Sequence, residues 1–211
     1  GLGVGALAAY AQPGQHFTFY EIDPAIERIA RDRRYFTFLA DCRGVCDVIL
    51  GDGRLTMAAA PDRHFDMIVL DAFSSDAIPT HLLTREAVDI YLSKLKSDGL
   101  LVFHVSNRFF ALEPLLANMA AARGLACLSR SNTRLSEDGA AAGGMGSQYV
   151  VMAGSSSALA FLREMPDWRR PAIRVDLPVW SDQYCDVLAL LKPTSLSSFG
   201  PRSALAESPQ P

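Results

Sequence analysis

The sequence predicts an α/β fold built around a doubly wound, mostly parallel β-sheet. Apolar runs alternate with amphipathic segments along the chain, as they do when parallel strands are connected through helices. A glycine cluster, "GLGVG", opens the chain, and "FDMIVLD" at 65–71 is nearly continuous apolar sequence, typical of a central strand buried on both faces. In such a sheet, ligands bind at the carboxyl ends of the strands.

Local signals assign the elements in chain order. A short helix is expected over 6–10, and Asp23 is a helix N-cap with Pro24 at the first helical position. Thr84 caps a further helix. The predicted strands cover 16–20, 47–50, 65–71, 100–105, 125–128 and 148–153, and two more helices are predicted over 112–123 and 157–165.

The composition is that of one soluble domain with a sizeable core. The chain has 211 residues, of which 49% are hydrophobic, and a formal net charge of -3, so residues 1–193 are expected to fold as one unit. Residues 194–211 are rich in Ser and Pro, which predicts a disordered tail. Scattered basic residues exclude a nucleic-acid partner, and no apolar run approaches the ~20 residues that span a bilayer.

The chain contains four cysteines: Cys42, Cys46, Cys127 and Cys185. A zinc site needs further sulfur or imidazole ligands at suitable spacing, and none stands near the first pair. We therefore expect no metal and four reduced thiols, which favours a cytoplasmic location.

The opening glycines predict one part of a nucleoside site. Gly1, Gly3 and Gly5 lack Cβ atoms, so the backbone can approach a ligand closely. The G-x-G-x-x-G fingerprint of NAD sites would need a third glycine at Ala6, whereas the G-x-G-x-G spacing suits a nucleoside without a pyrophosphate. A plain glycine turn is the alternative. The strand expected before Gly1 is absent, so we interpret the sequence as a fragment of a longer chain.

Two acids follow at the ends of the next strands. Glu21 ends one strand, where a carboxylate can accept hydrogen bonds from both ribose hydroxyls. Asp52 lies between Gly51 and Gly53 after the following strand, where it can accept an adenine amino proton, with Gly53 in the same binding loop. A solvated strand end and a tight Asp-Gly turn are the respective alternatives. Three successive strand ends with this chemistry are more specific than any one of them.

The segments "GLGVG", "YEID", "GDGR" and "LDAFSSDAIP", taken together, resemble the spermidine synthase family of aminopropyltransferases. "DAFSSDAIPTHLLTREA" and "VWSDQY" resemble the spermidine-synthase-like domains fused to membrane segments in bacteria. The resemblance covers 1–192. It implies the Rossmann-like class I AdoMet-dependent methyltransferase fold with one antiparallel strand, a co-substrate that is decarboxylated AdoMet or AdoMet, a small amine acceptor, and a possible homodimer or membrane-tethered parent chain.

Position by position, the resemblance assigns site roles. Glu21 corresponds to the ribose acid, Asp52 to the adenine acid, and Asp71 to the catalytic aspartate, with Asp76 as the second aspartate of that loop despite an insertion near Phe73. The family has an aspartate between its last two loop glycines, where it pairs with the amine of decarboxylated AdoMet. Here that residue is Val4, which cannot accept this bond.

Asp71 is the candidate that carries the chemistry, since a carboxylate can orient a cationic amine and take its proton during transfer. The alternative is that Asp71 only caps the following turn. For Asp76 a catalytic and a structural role are equally open. His81 and His104 can approach the same face, although a structural role is favoured for both. Two further residues, Trp180 and Asp182, either close over the acceptor or serve core packing and a surface turn.

Two other functions stay open on the same residues. Val4 favours an AdoMet-dependent methyltransferase that acts on a small acceptor. A noncatalytic nucleoside-binding module of a membrane-fused protein is the third reading.

Overall fold

The computed structural model describes residues 1–71, 79–132 and 146–192. Its strands are β1 His16–Glu21, β2 Val45–Leu50, β3 Phe65–Leu70, β4 Leu95–His104, β5 Ala126–Asn132, β6 Ser147–Ala153 and β7 Trp168–Arg169. Its α-helices are α1 Pro24–Arg31, α2 Gly53–Ala59, α3 Arg85–Lys94, α4 Glu113–Ala122 and α5 Ala160–Arg163, and 3-10 helices cover Ala6–Tyr10, Thr80–Leu82 and Leu188–Leu190. The predictions for Asp76 and for the tail at 194–211 lie outside the described residues.

The predicted helix caps are confirmed. The Asp23 side chain accepts from the amide of Ala25 (2.7 Å) at the start of α1. Thr84 Oγ1 accepts from the amide of Ala87 (3.3 Å) at the start of α3. These short polar side chains satisfy amides that have no partner within the first helical turn, so the sequence locates the helix starts well.

The strands form two sheets. β1 and β2 pair in parallel, and the second sheet has the order β3-β4-β6-β5-β7. β3 and β4 are parallel, while β6 lies antiparallel between β4 and β5. The α/β class and the antiparallel strand are therefore as expected.

In the described residues β1 and β3 are not paired with each other. Among the described residues each of these strands is paired along one edge only. Tyr20 of β1 packs against the core cluster that contains Ile68 of β3, so the two sheets share that core. Met67 and Val69 lie on one face of β3 and are 51% and 37% exposed. The prediction of a central strand buried on both faces is therefore wrong: β3 is an outer strand of its sheet, and the described residues leave this face uncovered.

At β4 the five-stranded sheet is covered on both faces. Leu101 and Phe103 of β4 point into the main core, which includes residues of α3 and α4. The alternate residues Leu100 and Val102 pack on the opposite face, against the cluster that contains Leu162 of α5. This alternation is the period of two expected for a strand with a core on each side, and it confirms the doubly wound arrangement.

The prediction of four reduced thiols is wrong for one pair. Cys42 and Cys46 form a disulfide, while Cys127 and Cys185 are free. The chain turns back after α1, where the amide of Asp41 donates to the carbonyl of Thr37 (2.8 Å), and this turn brings Cys42 to the start of β2. Spacing alone does not reveal such a turn.

The described part of the chain has neither a membrane-spanning helix nor a cluster of metal-ligating side chains. None of its helices has the length and apolar character that a membrane crossing requires. No group of three or more His, Cys, Asp or Glu side chains there is placed to hold a metal ion.

Candidate active site

The glycine-rich loop packs beside the carboxyl end of β1. Gly3 and Gly5 have left-handed backbone, with φ of +55° and +81°. The amide of Gly5 donates to the carbonyl of Leu2 (2.9 Å), and a Cβ on Gly5 would lie 3.0 Å from Cγ of Leu39. No non-neighbouring atom lies within 4 Å of the corresponding position at Gly3. The loop therefore turns tightly and leaves bare backbone for a ligand.

Glu21 connects this loop to the sheet. It is only 8% exposed, and its two carboxylate oxygens accept from the amides of Leu2 and Asp23, each at 3.0 Å. Its carbonyl accepts from the amide of Gly51 (2.8 Å), which follows β2. Since a carboxylate oxygen accepts more than one hydrogen bond, Glu21 keeps acceptor capacity for a sugar hydroxyl.

Asp52 is the N-cap of α2. Its Oδ1 accepts from the amides of Leu55 and Arg54, each at 2.9 Å. The bond from Leu55 is the largest of the effects that hold the pKa of this carboxyl below its ordinary value. Its Oδ2 lies 3.4 Å from Nε2 of His81. Gly53 begins α2 with open space where a Cβ would be.

Asp71 follows β3 and pairs with a histidine from the neighbouring strand. Its Oδ1 lies 2.7 Å from Nδ1 of His104, the last residue of β4. This hydrogen bond is the chief reason that the pKa of Asp71 is lowered, and it outweighs burial, which acts in the opposite direction. The Asp71 side chain is 47% exposed, so a charged carboxylate stands at the carboxyl edge of the sheet and remains accessible.

Glu21 and Asp71 both lie near Gly1. Burial lowers the pKa of the Gly1 amino group, and the charges of both carboxylates oppose that shift. Gly1 therefore lies within reach of both, at the edge where β1 and β3 end. The structure thus places Glu21 and Asp71 near the predicted glycines. Asp52 lies next to Gly51, whose amide donates to the carbonyl of Glu21.

A second network lies beside Asp52. Arg54 makes two bonds to the Asp182 carboxylate, at 2.7 and 2.6 Å, and donates to the carbonyl of His81 (3.0 Å). Thr84 also donates to Asp182 (2.7 Å). Trp180, by contrast, is fully buried in the main core, so the core-packing reading of this residue is correct and the idea that it closes over an acceptor is wrong.

The residue that sequence reasoning undervalued is His104. A signal was available, because His104 and Asp71 both end parallel neighbouring strands, and such ends meet at one edge of a sheet. The role of Arg54 had no comparable signal, since its partner Asp182 is 128 positions away.

The parallel order of the strands, the antiparallel β6, the helices on both faces and the loop at the strand ends define a class I AdoMet-dependent methyltransferase fold. Solved structures agree with this assignment. A probable spermidine synthase from Corynebacterium glutamicum superposes with a TM-score of 0.53 and 17% identity, covering 99% of this chain and 72% of that one. Human methyltransferase-like protein 13, in complex with SAH, gives a TM-score of 0.51 and 18% identity, covering 87% and 83%.

Similarity in sequence points to a polyamine aminopropyltransferase. The chain is 37% identical over 107 residues to a polyamine aminopropyltransferase from Vibrio vulnificus strain CMCP6, covering 48% of this chain. The match spans 34%, or about a third, of that relative's length. No protein-family model matches the chain. The chain is thus similar in sequence to a polyamine aminopropyltransferase over about half its length, and similar in fold to a probable spermidine synthase over nearly all of it.

Proposed function

We propose that this chain binds an AdoMet-type nucleoside and transfers an aminopropyl group from decarboxylated AdoMet to a small amine. The observation that carries the proposal is that Glu21 and Asp71 both lie near the glycine-rich loop, Glu21 through its bond to Leu2 and Asp71 through its effect on Gly1. In this arrangement Glu21 accepts from the ribose hydroxyls, Asp52 accepts from the adenine amino group, and Asp71 faces the acceptor amine. Asp76, outside the described residues, is proposed as its partner. The similarity to a polyamine aminopropyltransferase supports the same reaction.

The reaction is an in-line displacement. The nitrogen lone pair of the amine attacks the carbon bound to the sulfonium, the C–N bond forms as the C–S bond breaks, and the sulfur leaves as a neutral thioether. An alkyl amine with a pKa of ~10.4 carries a proton at neutral pH and must lose it before attack. Alignment of the two reactants supplies much of the catalysis in such a step.

The lowered pKa of Asp71 favours a role in binding the amine over a role as the final proton acceptor. A carboxyl group that stays ionised at neutral pH holds a proton poorly but attracts a cation well. We therefore assign Asp71 to binding and orienting the amine and to stabilising positive charge as it develops on nitrogen, with the proton passing on to solvent.

Val4 favours a second candidate, an AdoMet-dependent methyltransferase. Its side chain is 37% exposed in the glycine-rich loop, where spermidine synthases place the aspartate that pairs with the donor amine. The loss of one charged contact of ~1–3 kcal/mol corresponds to about 5–150-fold in affinity. The chain is also similar in fold to a human methyltransferase-like protein.

Calorimetric titration with decarboxylated AdoMet, AdoMet and methylthioadenosine separates these functions. Aminopropyl transfer predicts tighter binding of decarboxylated AdoMet than of AdoMet, turnover with putrescine, and loss of that turnover in Asp71→Asn with nucleoside affinity retained. Asp66→Asn, a surface change on the same strand, is the matched control. If AdoMet binds at least as tightly, aminopropyl transfer is rejected, and nucleoside binding without turnover of any acceptor indicates a noncatalytic module.

A further inference from the structure

Asp71 is held by a line of hydrogen bonds to which the proposed reaction assigns no role. His104 Nδ1 lies 2.7 Å from Asp71 Oδ1, and His104 Nε2 lies 2.7 Å from Oγ of Ser106. The amide of Gln148 donates to the same Ser106 oxygen (2.8 Å). Four positions therefore contribute to one line of hydrogen bonds that ends on the candidate catalytic carboxylate: the residue after β3, the last residue of β4, Ser106 after β4, and Gln148 of β6.

This line of hydrogen bonds fixes the tautomer of His104. Because the ionised Asp71 carboxylate can only accept, Nδ1 of His104 carries a proton, and Nε2 of the neutral imidazole accepts from the Ser106 hydroxyl. The proton of the neutral imidazole then lies on Nδ1, from which it is donated to Asp71. Tyr149 stacks on the other side of His104, with ring centroids 4.9 Å apart and planes inclined by 27°, so the ring is restrained in rotation as well as in protonation.

We propose that His104 is the positioning residue of this site. It fixes Oδ1 of Asp71 and leaves Oδ2, which has no bond from any described residue, as the oxygen that meets the acceptor amine. Ser106 and Tyr149 act one step further out, by holding the imidazole in place. The inference rests on the proposed function, because it names what orients the carboxylate that the reaction needs.

The charged and titratable groups around Asp71 favour this role. Besides His104, the charge of the Gly1 amino group acts on the carboxylate, and Glu21 acts on that same amine. Burial, and after it the charge of Asp71, raise the pKa of Tyr149. This phenol therefore also lies near the carboxylate. Of these groups, only His104 forms a hydrogen bond to Asp71, so its loss should free the carboxylate to rotate.

Three substitutions of His104 test the proposal. The amide nitrogen of His104→Asn can take the place of Nδ1 and keep the bond to Asp71, whereas that of His104→Gln can reach only the Nε2 position beside Ser106. His104→Ala removes both. We expect kcat for amine transfer to fall by up to about 100-fold in the Gln and Ala variants and by less than about threefold in the Asn variant, with the nucleoside Kd unchanged in all three.

A second measurement does not depend on turnover. Carbon-13 NMR of the labelled Asp71 carboxyl should show its pKa raised in His104→Ala and His104→Gln relative to the wild type, and restored in His104→Asn. Equal kcat in the Asn and Gln variants, or an Asp71 pKa that does not change in His104→Ala, would overturn the inference. If the wild type transfers nothing to any amine, the proposed function fails while the NMR titration still decides whether His104 orients Asp71.

Discussion

Glu21 is the residue on which the nucleoside half of the site depends. It is buried, it ends β1, and its carboxylate anchors the glycine-rich loop through the amide of Leu2. A charged carboxylate in such a position forms hydrogen bonds to hydroxyl groups that are about twice as strong as neutral ones. The same group therefore shapes the loop and offers the strongest acceptor to a ribose.

Replacing Glu21 by Gln should weaken nucleoside binding. Loss of a charge-assisted hydrogen bond costs ~1.5–3 kcal/mol, so the Kd for the preferred nucleoside is expected to rise about 10–150-fold in calorimetric titration. Glu27→Gln is the matched control, because Glu27 lies on α1 and pairs with Arg31 (2.8 Å). A Glu21→Gln protein that is folded by circular dichroism and binds within twofold of the wild type would rule out the ribose role.

At the scale of elements, the N-cap of α2, Asp52, has two roles. Asp52 Oδ1 caps the helix, and Oδ2 is the oxygen proposed to meet adenine. The two roles can be separated because asparagine caps a helix about as well as aspartate, yet it can carry an amide nitrogen where Oδ2 stood.

Asp52→Ala should lose both roles and Asp52→Asn only one. We expect the Ala variant to lower the free energy of unfolding by about 1 kcal/mol, measured in urea, and to bind nucleoside weakly. The Asn variant should keep the stability and lose affinity. Asp23→Ala, which removes the cap of α1, should lower stability alone. Nucleoside binding by Asp52→Asn that equals the wild type would leave Asp52 with the cap role only.

The elements also show what the sequence predicts and what it does not. Local chemistry identified the starts of α1 and α3, because Asp23 and Thr84 act on amides two and three residues away. Helix α2 was not predicted, since Met57 is its single buried residue and one apolar position has no periodicity. Its one signal, Asp52, fits a tight turn equally well.

Long-range packing accounts for the other differences. The exposure of Met67 depends on which strands lie beside β3, and the disulfide depends on where the chain turns after α1. Neither can be predicted from the residues adjacent in sequence. The site acids Glu21 and Asp71 were predicted because strand ends in an α/β sheet meet at one edge by topology, whereas the contact of His104 with Asp71 required the register of β3 against β4.

Over the whole molecule, one ion pair connects distant parts of the chain around the site. Asp182, near the end of the described residues, accepts two bonds from Arg54 of α2 and one from Thr84, the cap of α3. Its own amide donates to Glu86 of α3 (3.0 Å). The hydrogen bonds from Arg54 and Thr84 lower the pKa of Asp182 to about 2.

This pKa gives the ion pair a pH dependence of known sign. A carboxyl whose pKa is lower in the folded state stabilises the fold above its unfolded value, 3.8, and loses that contribution as the pH falls towards about 2. Asp182→Asn should therefore unfold at lower urea concentration than the wild type at pH 7, and the difference should shrink below pH 3.8. Asp176→Asn, which removes a pair between near neighbours, Arg174 and Asp176, should change stability little, because it connects no distant segments. A wild-type advantage over Asp182→Asn that stays constant through the acid range would mean that packing of this segment, and not its charge, joins α2 and α3 to the end of the domain.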